Sequence, residues 1–341
     1  MNKLLAVDIG GGTQDILLYD ESKALENCIQ MVLPSPTRLV AAKIARATSA
    51  NKSLFLTGGV MGGGPSVRAV REHLARGLAV VATPKAALTI HDDPNRVEAL
   101  GIRIGSEPPA GSEVVELHDV DLAMYKRLLD EVGEYLPAGF AVAVQDHGYS
   151  PYESNRVFRF RLWEQFMASG GKLNDLAYKD VPAALTRMQS VKETVPKALL
   201  MDTCGAAVLG ALCDPRVKAA AHSSGVVIIN IGNQHTFAAI VQGERILGLF
   251  EHHTNAVTQQ KLVSYLERLL AGTLTNKEVF DDNGHGCVPP QEKIKPALTT
   301  VTGPRRSLLW GNDYYLAAPQ GNMMLMGCFG LAAALKEQRQ A

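Results

Sequence analysis

Near the start of this 341-residue chain an apolar run, Leu4 to Val7, reaches Asp8, and three consecutive glycines follow at 10–12. The full stretch is Val7-Asp8-Ile9-Gly10-Gly11-Gly12-Thr13-Gln14-Asp15, after which Ile16–Tyr19 is apolar again. The pattern predicts a buried strand, a tight hairpin and a second strand. Glycine at the bend lets backbone N–H groups face outward with no side chain between them and an approaching anion. Thr13 adds a hydroxyl, and Asp8 is a carboxylate placed to hold the water shell of Mg²⁺. An ordinary glycine-rich turn is the plain alternative, and the Asp-x-Gly-x-x-Thr-x-Asp context favours the anion site. No Gly-Lys-Ser/Thr follows and a strand comes next, so this is not a Walker loop.

The order recurs weakly. Strand, glycine turn, two strands and a helix over Leu4–Ser49 reappear over Val226–Leu270, and Leu54-Phe55-Leu56-Thr57-Gly58-Gly59 is matched with Thr299-Thr300-Val301-Thr302-Gly303-Pro304. Strands are expected at Leu4–Ile9, Ile16–Tyr19, Ile29–Leu33, Ser53–Thr57, Ala79–Ala82, Phe140–Val144, Ala198–Met201, Val226–Ile231, Phe237–Val241, Arg245–Phe250, Ala297–Val301 and Tyr314–Ala318. Helices are expected at Thr37–Ser49, Ser66–Arg76, Asp121–Tyr135, Asn155–Met167, Thr203–Leu212, Thr258–Leu270 and Met323–Gln338, with a long loop over 276–296. The alternation is that of an α/β chain. Two similar halves with a turn near the start of each suggest a clamp around a cleft. The halves are placed at about 1–222, with an insertion at about 60–195, and 223–341.

The 34 basic and 34 acidic side chains cancel, which removes the electrostatic drive toward nucleic acid or an anionic membrane. Asp8 interrupts the apolar start, and no apolar run approaches the ~20 residues that span a bilayer, so a cytoplasmic protein is expected. The five cysteines (28, 204, 213, 287 and 328) form no Cys-x-x-Cys pair and no Cys-x-x-x-Cys-x-x-Cys set. That speaks against a disulfide framework, a cysteine zinc site and radical chemistry on an iron–sulfur cluster. Cys204, Cys213, Cys287 and Cys328 are expected to pack as small apolar groups.

With these motifs in hand, the chain resembles the actin-like ATPase superfamily, which includes sugar kinases, actin-type chaperones and the activators of radical and corrinoid enzymes. Asp8 to Asp15 looks like its first phosphate loop. Asn230-Ile231-Gly232-Asn233-Gln234-His235-Thr236 stands where the second would be. Met324-Leu325-Met326-Gly327-Cys328-Phe329-Gly330 and the alanines after it resemble the C-terminal adenosine motif. More narrowly, the chain is similar to a family of actin-fold proteins from anaerobic bacteria and archaea, some labelled as related to the activating enzyme of pyruvate formate-lyase.

The resemblance implies a two-lobed actin-like (ribonuclease H-like) α/β fold with duplicated mixed sheets and a central cleft that binds ATP and Mg²⁺. Gly10, Gly11, Gly12, Thr13, Gly232, Asn233, His235 and Thr236 would hold phosphates, Asp15 and Gly303 would also belong to the nucleotide site, and Gly327 and Gly330 would sit at the adenine. Asp8 would organise Mg²⁺ through water. Asn230 and Asn233 depart from the pattern, because an Asp is common at the first, and this puts metal binding and turnover in question. Asp202, in Met201-Asp202-Thr203-Cys204-Gly205-Ala206, is either the N-cap of the next helix or a catalytic base.

Three readings of activity follow: an ATPase driving a change in a client enzyme, a kinase acting on a hydroxylated small metabolite, or a silent nucleotide-binding scaffold. A homodimer is compatible with each.

Other polar spots stay open. Asp146, His147, His253, His285 and Cys287 either converge as a metal or substrate site or are separate surface groups. Arg156, Arg159 and Arg161 form a solvated face or an anion site, as do Arg305 and Arg306. Gly58–Pro65 is a structural turn or a lid edge.

Overall fold

The computed structural model describes residues 3–340. Its largest feature is a duplication in three dimensions. One six-stranded sheet runs Ile29–Pro34, Thr13–Asp20, Lys3–Ile9, Gly139–Val144, Leu199–Met201, Ala177–Tyr178. A second runs Gly286–Val288, Arg245–His253, His235–Gln242, Val226–Ile231, Leu298–Thr302, Tyr315–Leu316. Within each, a meander of three antiparallel strands is followed by two strands parallel to the first. That strand order, repeated twice in one chain, is the two-lobed actin-like, ribonuclease H-like fold.

Strand parity decides where the site forms. In Lys3–Ile9 the side chains of Leu5, Val7 and Ile9 enter a core with Tyr125 and Leu129, while Leu4 and Ala6 point the other way. Val226 and Ile228 have the corresponding parity in the second sheet, and they join the same core as Leu4 and Ala6. The two lobes therefore share one apolar interior, with helices Thr203–Ala211 and Met326–Gln340 crossing within it. Asp8 and Asn230 continue those inward rows at the strand ends, just where the apolar packing stops.

The crossing helices approach closely because small residues line the contact. A Cβ at Gly210 would overlap the carbonyl of Met326, and one at Gly330 would overlap that of Ala206. The alanine- and glycine-rich runs are thus a packing device between lobes.

A third sheet, Ile102–Ile104, Val80–Ala82, Leu54–Gly58, Glu113–Leu117, is wholly parallel and has its own core. Helix Pro36–Ser49 contributes Val40, Ile44 and Ala47 to that core, so the added unit begins upstream of residue 60. It also ends near Leu117, well before 195. Leu54–Gly58 accordingly does not correspond to Leu298–Thr302; the counterpart of the latter is Gly139–Val144, which pairs with Lys3–Ile9 as Leu298–Thr302 pairs with Val226–Ile231. The segment 276–296, expected as loop, holds helix Asn276–Asp281 and strand Gly286–Val288. A Thr275/Glu278 capping box starts that helix. No helix among the described residues is long and apolar enough to cross a membrane.

Candidate nucleotide site and histidine cluster

Both turns close the same way. The N–H of Gly10 donates to the carbonyl of Thr13 at 2.9 Å, and that of Gly232 donates to His235 at 2.9 Å. The hairpins face each other tip to tip. The side chain of Gln234 lies against Gly11 and Gly64, and the Asn233 amide sits 2.5 Å from where a Cβ of Gly12 would be. These two side chains fill the direct gap, and the open space lies beside the tips. There a cavity of about 700 Å³ is lined by Asp8, Gly10, Gly11, Thr13 and Asp15 of one lobe. Gly232, Asn233, His235, Gly303 and Gly327 face them. Gly303 has φ +94°, a conformation that glycine adopts freely, and a Cβ there would overlap Ile231 and Asn230. A Cβ at Gly327 would overlap the Asp8 carboxylate, so that glycine makes room for the acid.

The floor of the cavity is acidic and underpaired. Asp8 and Asp15 oppose one another across the first hairpin, and Oδ1 of each is buried without a hydrogen-bond partner. Burial, then the charges of Asp15 and Asp202, push the Asp8 carboxyl well above its ordinary range. Burial raises Asp15 to about 7, opposed by the Thr13 hydroxyl. Two carboxylates with unsatisfied oxygens at the edge of a cavity fit a hydrated divalent cation, which prefers oxygen ligands and water.

Several expected members lie elsewhere. Thr236 is fully buried and its hydroxyl bonds Thr254 at 3.0 Å, away from the cavity. Gly330 belongs to the helix crossing, and its smallness serves helix packing instead of a base. Asp202 caps helix Thr203–Ala211 through the N–H of Cys204 at 3.0 Å. Its two oxygens also take a forked ion pair from Arg159 at 2.9 and 3.1 Å. With both oxygens engaged it is poorly disposed to act as a base. Arg305 and Arg306 do not line the cavity.

Arg159 is the centre of that network and not part of a solvated face. In helix Asn155–Ala168 it is buried beside Phe158, Phe160 and Trp163. Its Nε donates to Glu251 Oε2 at 2.6 Å, joining the lobes, and Gln145 donates to the other oxygen of Glu251. Burial opposes ionisation of Glu251, yet Arg159 and the neighbouring polar groups outweigh it and hold its pKa below the ordinary value. Arg187, also missed in the sequence, lines the cavity and is held by Asp119 at 2.7 and 2.9 Å.

Above Glu251, four histidines meet. Register places His235 directly opposite His253 on adjacent strands, and the backbone N–H of His285 donates to the backbone carbonyl of Glu251 at 2.9 Å. His147 enters from the loop after Gly139–Val144 in the other lobe. Ligand atoms of His147, His235 and His285 all lie within 4.8 Å of one another, and the His253 ring is 4.7 Å from that of His285. Asp146 and Cys287 do not join them. The Asp146 carboxylate accepts from Gly148 and Met188, and the Cys287 thiol turns into a separate apolar core toward Leu274. His235, read in the sequence as a phosphate contact, lines the cavity and also links the hairpin to the cluster. The Gly58–Pro65 segment is tied down by bonds from Gly59 to Leu117, Met61 to Thr89 and Gly62 to Asp119, and its Val60–Gly64 stretch forms a cavity wall.

Residues 61–308 match the family described as "Putative pyruvate format-lyase activating enzyme (DUF1786)". The chain belongs to this family. Among solved structures, a protein of actin-like ATPase fold from Bacteroides thetaiotaomicron is 8% identical over 96% of this chain and 95% of its own, with a TM-score of 0.38. The ethanolamine utilization protein EutJ from Carboxydothermus hydrogenoformans is 11% identical over 96% and 88%, with a TM-score of 0.32. A Ppx/GppA family member from Aquifex aeolicus is 10% identical over 88% and 66%, with a TM-score of 0.30. No curated protein matches the chain.

Proposed function

We propose that this DUF1786 family member binds ATP with Mg²⁺ in the cavity between its lobes and hydrolyses it to drive a change in a client enzyme. The observation that carries the reading is the matched pair of glycine turns meeting beside a cavity lined by two carboxylates, Asp8 and Asp15, each with one buried oxygen that has no hydrogen-bond partner. Backbone N–H groups of the two turns would bind phosphate oxygens, as such concavities do for anions. Asp8 would organise the metal's water shell, and the ion would neutralise charge on the phosphates when bound. Asp15, whose carboxyl pKa burial raises, lines the same cavity and would accept a proton from an attacking water.

The pairing of Asp202 with Arg159 favours hydrolysis over transfer to a hydroxyl, since the expected kinase base has no free oxygen. Crossing helices packed through Gly210 and Gly330 supply a pivot through which cleft closure would reach a partner surface. The family description names activation of another enzyme. A nucleotide-driven change suits that role in a chain without a three-cysteine cluster motif.

Phosphate release from ATP with Mg²⁺ tests this. Slow release without any acceptor is expected, and it falls at least about tenfold in Asp15→Asn. Release that depends strictly on a hydroxylated metabolite would replace the ATPase by a kinase. Tight binding with no release would leave a scaffold.

A further inference from the structure

We propose that His147, His235 and His285 form a binding site for one divalent first-row transition metal, distinct from the carboxylate site and shared between the lobes. Three imidazoles whose ligand atoms lie within 4.8 Å of one another match the span of a metal's inner coordination sphere. His285 supplies the independent sign of a missing ligand. It is 1% exposed, and both of its ring nitrogens are buried without a hydrogen-bond partner. A polar group is costly to bury unpaired, and a bound cation removes that cost at one nitrogen.

Beneath the rings, Glu251 pairs with the guanidinium of Arg159, which also holds Asp202. Burial, reinforced by Arg159 and the neighbouring histidines, holds His147 and His285 well below the usual imidazole range, and burial alone leads in lowering His235 to about 4. The rings are therefore neutral and keep a lone pair available. Arg156 bonds the Gly284 carbonyl at 3.0 Å and that of Phe280 at 2.6 Å, fixing the loop that presents His285. Nitrogen ligands select zinc, iron, cobalt or nickel over Mg²⁺, which prefers oxygen.

His147 and His235 also line the nucleotide cavity, and His253, beside the three, lines it too. A three-histidine site leaves a fourth position for water or an anionic oxygen from a ligand in that cavity. Because His147 comes from one lobe and the other two from the second, the ion would clip the cleft. The site requires no nucleotide.

Zinc titrated by calorimetry into chelator-treated full-length protein, without nucleotide, tests the assignment. One equivalent is expected to bind and to raise the melting midpoint. His285→Ala and His147→Ala should each weaken zinc by about 100-fold or more, while His222→Ala, on the exposed surface, leaves it unchanged. X-ray absorption of the zinc-loaded wild type gives a readout that no misfolded variant can confuse, with an imidazole nitrogen shell expected. Absence of stoichiometric zinc, affinity untouched by both substitutions, or a sulfur or all-oxygen shell would overturn the proposal.

Discussion

Arg159→Ala is expected to lower stability by about 3–5 kcal/mol, the cost of leaving buried charges without their partner. Arg159 is 3% exposed, and it bridges Asp202 in one lobe and Glu251 in the other. Removing it leaves two buried carboxylates, 7% and 0% exposed, without their cationic partner. The pH response gives the prediction a second face. In the wild type Glu251 sits below its ordinary pKa, so its contribution is present above that ordinary value and is lost as pH falls through the depressed one. In the variant only the Gln145 donor and the neighbouring histidines oppose burial, so the pKa of Glu251 rises from its depressed value and the deficit relative to the wild type shrinks as pH falls. Denaturant unfolding of both proteins at neutral and mildly acidic pH measures this. A loss under about 1 kcal/mol at neutral pH would mean that the network is solvated and not a tie between lobes.

Gly330→Ala is expected to cost roughly 1–3 kcal/mol although it adds a single methyl group. Alanine is the better helix former by about 1 kcal/mol, so propensity predicts the opposite sign. Packing decides, because the new Cβ would overlap the Ala206 carbonyl and crowd the N–H of Gly210, both backbone atoms that move only with their helix. Ala333→Gly, at a half-buried position of the same helix, loses propensity without relieving any overlap, and is expected to cost only about 1 kcal/mol. Thermal unfolding of the two variants compares packing with propensity, and a stabilised Gly330→Ala would remove the tight crossing as the pivot.

What could be read from the sequence was what a few adjacent residues determine. The bend at Gly10–Gly12 needs glycine, and so the first hairpin, its Asp8 and its echo at Gly232 were visible without knowledge of any partner strand. The match of Leu54–Gly59 with Thr299–Pro304 failed for an instructive reason. Gly58 and Gly303 both take φ +94°, so the two strands end alike locally while lying in different sheets. Local backbone chemistry does not encode which strand is the neighbour.

The same limit explains the site residues. Small residues in Met326–Gln340 signal close approach, but not whether a base or another helix approaches. Arg159 looked solvated in an alternating Arg-Val-Phe-Arg-Phe-Arg stretch. The helical turn points it inward with Phe160 and Trp163, toward acids that lie 43 and 92 residues away in the chain. Asp202 was legible as a cap and not as a partner of Arg159. The histidines converge through three long-range placements that no spacing in the sequence announces: His235 opposite His253 across a strand pairing, His285 held beside Glu251, and His147 arriving from the other lobe. Asp146 and Cys287 share loops with true members, yet their side chains satisfy themselves elsewhere.

On the proposed function, the two hairpins and the acidic floor between them hold a metal–triphosphate. Calorimetric titration of ATP with Mg²⁺ into the intact chain and into Asp8→Ala tests it most directly. One site per chain is expected for the wild type, weakened at least about tenfold when the Asp8 carboxylate is removed, the loss of a charged ligand being worth on the order of 1.5–3 kcal/mol. No heat from the wild type, or equal binding by both proteins, would contradict it.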